Sequence, residues 1–139
     1  DAQSCVLIGV GNLGRALLKY FCSDKFKKRV FRTPVNLIAG FDTDESLVGQ
    51  CVGELPLYHL NDLKSYIEEH RVTYVILTVP PTVAQSVATS LEGLGIKGIL
   101  NLSSTVINVS EDITVHEVDL NMELETLFFY VFQKEQAKH

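Results

Sequence analysis

Three glycines spaced Gly9-x-Gly11-x-x-Gly14 follow directly on the apolar run Cys5-Val6-Leu7-Ile8 and lead into a helical pattern beginning Arg15-Ala16-Leu17-Leu18. These residue types at this spacing suit the cradling of a pyrophosphate by backbone N–H groups. Gly9 permits a tight turn off a strand, Gly11 lets the backbone approach the phosphates, and Gly14 lets the helix pack close to the sheet. The helix N-terminus adds unpaired N–H groups and its positive dipole end. Asn12 and Leu13, inside the turn, belong to the same candidate set. A second chemical signal is Asp42, at the end of the apolar stretch 35–41. An acidic residue at that strand end accepts hydrogen bonds from the ribose hydroxyls of a dinucleotide. It stands farther from the glycines than the usual interval of about 20 residues, and the basic segment 24–34 accounts for the excess. No Arg occurs in Thr43-Asp44-Glu45-Ser46, so a 2′-phosphate would meet only negative charge. That favours NAD over NADP.

Other chemistries have less support. Cys5, Cys22 and Cys51 are widely spaced with no Cys-x-x-Cys, and the four histidines are scattered. No metal-ligand spacing results. Reduced thiols in a cytoplasmic protein are the expected state. A net charge of −5 argues against nucleic-acid binding by this surface as a whole. Hydride transfer needs an acid or base at the reacting oxygen. His59 and His70 flank a middle helix, His116 lies in a strand and His139 ends the chain, none of them on the expected nucleotide turns. A catalytic role is therefore not expected, and a small oxidoreductase domain is kept as an alternative.

The elements that position these residues follow from apolar periodicity. The 139 residues, 46% hydrophobic and 21% charged, make one soluble globular domain with no membrane-spanning run. Asp1-Ala2-Gln3 opens the chain without Met, and a piece of a longer protein is expected. Residues 35–41 read as a second strand, 48–53 as a loop, and Pro56-Leu57-Tyr58 as a short edge strand. Leu60, Leu63 and Ile67, after an Asn61 cap, give a helix. Residues 74–79 are a strand buried on both faces, ended by Pro80-Pro81. Thr82-x-x-Gln85 reads as a capping box opening a helix that closes near Gly93 or Gly95. Residues 96–101 and 113–118 complete the strands. The alternation implies an α/β fold, a Rossmann-type doubly wound parallel sheet with right-handed crossovers. Its ligand belongs at the carboxyl ends of the strands. There the glycine turn, Asp42, Thr78, Val79, Pro80 and Asn101 converge.

The final segment differs. Leu120, Leu124, Leu127, Phe128 and Val131 form one stripe, but Phe129, Tyr130 and Phe132 fall on other faces. A helix apolar nearly all round needs burial on more than one side; a symmetric or domain-swapped dimer is the simplest supply, with a plain core helix as the alternative. The expected organisation is a nucleotide-binding domain over 1–118 and a dimerisation helix over 119–139.

The strings Val6-Leu7-Ile8-Gly9-Val10-Gly11-Asn12-Leu13-Gly14-Arg15-Ala16-Leu17-Leu18, Phe41-Asp42, Ile76-Leu77-Thr78-Val79-Pro80, Gly95-Ile96-Lys97-Gly98-Ile99-Leu100-Asn101 and Val118-Asp119-Leu120 carry a resemblance covering almost the whole chain. It resembles the NAD(H)-binding domain of Rex, the bacterial redox-sensing transcriptional repressor. The resemblance implies an N-terminal winged helix that holds operator DNA, absent from these residues, and a homodimer through a swapped C-terminal helix. It implies NADH and NAD+ as cofactors, with NADH releasing DNA. Gly9, Gly11, Gly14 and Asp42 match its pyrophosphate and ribose positions, and Val79, Pro80 and Asn101 its nicotinamide side. Tyr20 and Asp119 match a pair formed across the dimer, and Leu120 a position packing toward the partner's nicotinamide. Two departures stand out. Asn101-Leu102-Ser103-Ser104 replaces the family's Asn-Phe-x-Pro, and Ser110 replaces a later Pro, so a looser or differently shaped segment over 103–110 is expected. A coenzyme A-binding domain, which shares the fold and a similar turn, is the other alternative. Asp42 disfavours it, because a carboxylate repels the CoA 3′-phosphate.

Overall fold

The computed structural model of the chain describes residues 2–22 and 34–138. Strand β1 (Gln3–Ile8) leads through the glycine turn into α1 (Asn12–Cys22), and β2 (Val35–Asp42) follows. The chain continues through β3 (Cys51–Val52), β4 (Leu55–His59), a 3-10 turn (Leu60–Asp62), α2 (Leu63–His70) and β5 (Val72–Leu77). It ends with α3 (Pro81–Ser90), β6 (Gly98–Asn101), β7 (Thr114–Glu117) and α4 (Leu120–Ala137). The basic segment 24–34, apart from Pro34, lies outside the described residues.

The seven strands are ordered β3-β4-β2-β1-β5-β6-β7, all parallel except β3. β1 is central, and Val6, Leu7 and Ile8 are fully buried because both sheet faces are covered around them. On one face Val6, Ile8, Phe41 and Leu77 pack against Leu63 and Ile67 of α2 and Ala84, Val87 and Ala88 of α3. On the other, Cys5, Leu7, Leu57 and Ile76 pack against Leu18 of α1. Helices on both faces make the sheet doubly wound, as expected. The chain runs outward on one side of β1 and resumes on the other at β5. The carboxyl ends of β1 and β5 are therefore the switch point where ligands bind in open α/β sheets.

Several local readings are corrected. Residues 48–53 are not all loop, since Cys51 and Val52 pair antiparallel with Pro56 and Leu55. That makes β3 the edge and β4 an interior strand, pairing with β2 as well. Asn61 does not cap the middle helix. The His59 ring Nδ1 accepts the Asn61 N–H at 3.0 Å and caps the 3-10 turn, while the cap position of α2 is Asp62, whose side chain makes no cap bond. Thr82 and Gln85 form no capping box. Pro81 opens α3, where a missing N–H costs nothing. Gln85 reaches Asn108 instead, its Oε1 accepting the Asn108 N–H at 2.7 Å and its Nε2 donating to the Asn108 carbonyl at 2.8 Å. With Glu92 Oε1 accepting the Ser110 N–H at 2.6 Å and Ile107 buried, segment 103–110 is fastened to α3 rather than loose.

Candidate functional site

The glycine turn is held by backbone bonds that extend the strand ladder past the strand ends. Gly9 N–H donates to Phe41 O at 2.8 Å, and Thr78 N–H donates to Ile8 O at 2.9 Å. Gly9 has φ +102°, a region that side chains avoid, and a Cβ there would meet Thr78 and Val79 backbone atoms at 2.8 Å. A Cβ on Gly14 would overlap the Gly9 carbonyl oxygen. Both glycines are thus required by protein packing alone. Gly11 is different, since nothing lies within 4 Å of where its Cβ would stand. Its role is not explained by protein contacts, and its open side is the one available to a ligand.

Asp42 sits beside this turn. Its Oδ2 accepts the Val10 N–H at 2.7 Å and its Oδ1 accepts the Asp44 N–H at 2.8 Å. The carboxylate therefore fixes the entry to the glycine turn and begins the following loop. Each oxygen keeps acceptor capacity, since an ionised carboxylate has about four lone-pair sites. Next in the loop, exposed Asp44 is held below its ordinary pKa by hydrogen bonds from the Ser46 hydroxyl and Ser46 N–H. Asp42, Asp44 and Glu45 leave no cation for a ribose phosphate in residues 43–46.

Thr78 lies across the turn from Asp42, with Val79 and Pro80 leading into α3. Its hydroxyl lies 2.5 Å from Gly9 O and 3.1 Å from Ile8 O, donating into the turn. Asn101, at the end of β6, is 2% exposed. Its Oδ1 accepts from Ser103 N and Ser103 Oγ, and its Nδ2 donates to Thr105 O at 2.7 Å. The carboxamide is committed to its own turn, which brings Ser104 to φ 63°. A cavity of about 340 Å³ opens beyond it between β6, β7 and the start of α4, lined by Asn101, Glu117, Asp119 and Met122 among others.

The structure brings Gly9, Gly11, Asn12, Leu13, Gly14, Asp42, Thr78, Val79 and Pro80 to one end of β1 and β5, with Asn101 one strand further. Tyr20 is not there, since it lies at the far end of α1 and is exposed. Asp119 caps α4, its Oδ1 accepting the N–H groups of Asn121 and Met122. Within one chain it forms no bond to Tyr20. Two residues near the turn were not singled out from the sequence. Arg15 stands in the first turn of α1, one helical turn after Gly11, with no acidic residue in that turn. His59 is the register partner of Asp42, so a histidine does stand at a strand end near the crevice. Its place there is set by β4, which runs one residue past the Pro56-Leu57-Tyr58 strand expected from the sequence.

A second feature lies away from the strand ends. On the α1 side no described helix covers β5, β6 and β7, and the described residues leave a groove of about 570 Å³ lined by Cys5, Phe21, Leu37, Tyr74, Ile76 and Leu100 among others. Burial pushes the Cys5 thiol up to about 12, against a smaller lowering by the Ile76 backbone hydrogen bond. Among the described residues the three cysteines are free and no group of three or more His, Cys, Asp or Glu could hold a metal ion. No described helix is long and apolar enough to cross a membrane.

A parallel sheet in this order, with a glycine turn opening the first helix and a carboxylate ending the second strand, defines a Rossmann-type nucleotide-binding domain. The chain belongs to the CoA binding domain family, whose profile matches residues 1–105. Within that class its strong homology is to the Rex redox-sensing transcriptional repressors. It is 42% identical to Rex of Listeria welshimeri over 132 residues, covering 94% of this chain and 58% of that protein. It is also 42% identical to Rex of Bacillus subtilis over 131 residues, covering 94% and 57%. The chain thus spans less than two thirds of the relatives it matches. Among solved structures, RSP, a Rex-family repressor, superposes with TM-score 0.84 at 27% identity, covering 99% of this chain and 63% of that one. RSP has also been solved with NADH, and with NAD+ and operator DNA.

Proposed function

We propose that this chain is the NAD(H)-sensing and dimerising part of a redox-sensing transcriptional repressor, in which NADH binding releases operator DNA held by a winged-helix segment outside these residues. The observation that carries the reading is the open Gly11 beside the Asp42 carboxylate, in a chain homologous to repressors one of which is solved with both forms of the cofactor. Gly9, Gly11, Asn12, Leu13 and Gly14 receive the pyrophosphate, and Asp42 accepts from the ribose hydroxyls. Thr78, Val79 and Pro80 form the wall at the switch point. Asn101, whose carboxamide oxygen and one of two amide N–H donors are used within the 101–105 turn, shapes the nicotinamide end through that turn. Bound there, the nicotinamide supplies a ring that is cationic when oxidised and neutral when reduced. The chain's part is to bind and orient it, not to perform chemistry on it, and no enzymatic activity is assigned.

The dimer reading rests on the exposed apolar surface of α4 and on an apolar groove that no described helix covers. No residue of α4 is buried, and its large apolar side chains from Leu120 to Phe132 are 48% to 71% exposed. An exposed patch of this kind marks an interface, and the groove over β5, β6 and β7 is an apolar seat for the partner's copy of this helix. In that arrangement residues 119–139 act as the swapped element and residues 1–118 as the nucleotide-binding body. Asp119 and Leu120 approach the partner's site, and Asp119 pairs with Tyr20 across the dimer. A ligand shifts such an assembly only by its differential affinity for two arrangements.

The family name favours a second reading, a CoA-binding domain. Residues Asp42, Asp44 and Glu45 disfavour the extra 3′-phosphate. The test is calorimetric titration of the 139-residue chain with NADH, NAD+ and CoA, with mass in solution recorded. A dimer binding NADH more tightly than NAD+, and CoA weakly, is the expected result. Equal binding of both nicotinamides excludes redox sensing, and preference for CoA excludes the dinucleotide reading.

A further inference from the structure

We infer that Thr78 is a positioning residue for the bound diphosphate, acting through the glycine turn and not by touching the ligand. The inference rests on the proposal that this turn receives a diphosphate-bearing cofactor. A threonine hydroxyl has one hydrogen to donate, and Thr78 Oγ1 places it on Gly9 O at 2.5 Å, with Ile8 O at 3.1 Å as the only other acceptor shown. The donor is therefore used inside the protein. Gly9 packs so closely on the Thr78–Val79 backbone that a Cβ there would fall 2.8 Å from it, and Gly14 packs on Gly9 O and within 3.0 Å of Thr78 Oγ1 by the same measure. Thr78, Gly9 and Gly14 thus interlock, and the peptide that aims the turn toward Gly11 is held from the end of β5. Pyrophosphate binding by backbone N–H groups depends on their direction as much as on their presence. Removing the hydroxyl frees the Gly9 carbonyl and leaves the Gly9–Val10 peptide held on its other side alone, by the Val10 N–H on Asp42 Oδ2, so the turn is less firmly aimed while β1, β5 and Asp42 stay in place.

The test compares Thr78→Val, which keeps the shape and loses the hydroxyl, with Thr78→Ser, which keeps the hydroxyl. The dissociation constants of the 139-residue chain are measured for NADH, ADP and AMP, alongside urea denaturation. Thr78→Val should lose about tenfold in affinity for NADH and ADP and much less for AMP, which lacks the diphosphate. Thr78→Ser should bind all three as the unmodified chain does. If Thr78→Val does not fold, Thr78→Cys, a weaker donor, carries the same expectation. Unchanged NADH and ADP affinity in the hydroxyl-free variant, or equal losses for ADP and AMP, overturns the inference. Failure of the unmodified chain to bind NADH overturns the cofactor reading instead. The comparison then runs on CoA, which also carries a diphosphate, with the same two outcomes.

Discussion

At the scale of single residues, Asp42 does two jobs that substitution separates. Its carboxylate holds the Val10 and Asp44 N–H groups and is assigned the ribose hydroxyls. Asp42→Ala strands both N–H groups and should cost about 1–3 kcal/mol of stability by urea denaturation. Asp42→Asn keeps one acceptor oxygen, so its stability loss should be smaller, yet NADH affinity should still fall about tenfold with the charge-assisted bonds gone. Arg15 argues in the opposite sense. A cation in the first turn opposes the helix dipole, and no described residue pairs with it. Arg15→Gln should therefore stabilise the ligand-free chain by about 0.3–1 kcal/mol while weakening NADH and flattening the salt dependence of its binding. Unchanged binding and salt slope would remove Arg15 from the site. Cys5 links burial to pH. Its folded pKa of about 12 lies above the ordinary 9.0, so the folded chain holds its proton more tightly than the unfolded one. This contribution is complete below pH 9 and is lost as pH rises toward 12. Iodoacetamide at pH 8 should label exposed Cys51 and spare Cys5 until denaturant is added.

Among the elements, the helix ends show where local chemistry and tertiary demand part. α2 ends on Arg71 in the left-handed region at φ 52°, where glycine is favoured. Arg71→Gly should stabilise the chain by about 0.5–1 kcal/mol in urea denaturation. The start of α4 separates structural from switching roles. Asp119→Ala removes the cap and should cost about 1 kcal/mol, whereas Asp119→Asn keeps a good cap and removes only the charge. If Asp119 also couples NADH to DNA, the Asn variant in the full-length repressor should bind NADH yet release DNA poorly. Release at unmodified NADH levels by that variant would leave Asp119 as a cap alone. The sequence was legible where one signal dominated. Strand β1, the glycine turn, α1 and Asp42 stood out because strand pattern, glycine spacing and helix pattern agree over 5–18. The buried runs at β5 and β6 were visible for the same reason, with ends displaced by two residues at most. The cap at His59 was not, because an imidazole accepting a backbone N–H two residues on leaves no spacing signature. Gln85 matched a capping box because Thr-x-x-Gln satisfies the pattern, but Pro81 had already started the helix. Segment 103–110 looked loose without its prolines, and its order comes from Gln85 and Glu92 on a different element.

For the whole molecule, the unsolved balance is α4. Most helical stability in proteins comes from packing an apolar face, and within one chain no residue of α4 is buried. The groove over β5, β6 and β7 is a second apolar surface that no described helix fills, since these cover the opposite face or lie at β1 and β2. The proposed exchange of α4 between two copies would cover both surfaces at once and repeat the same contact by two-fold symmetry. Folding then becomes linked to association, so the urea midpoint should rise with protein concentration. Leu124→Glu combined with Phe128→Glu places two charges on that face of α4. The pair should shift the chain from dimer to monomer by sedimentation equilibrium and abolish the concentration dependence. The nucleotide body should survive, because neither side chain contributes to either core cluster. ADP affinity should therefore be nearly unchanged, while affinity for NADH should fall if, as proposed, its nicotinamide end lies toward Leu120 of the partner subunit. An unmodified chain that is monomeric at tens of micromolar, or a double variant that remains dimeric, would show that α4 is covered by something other than a second copy.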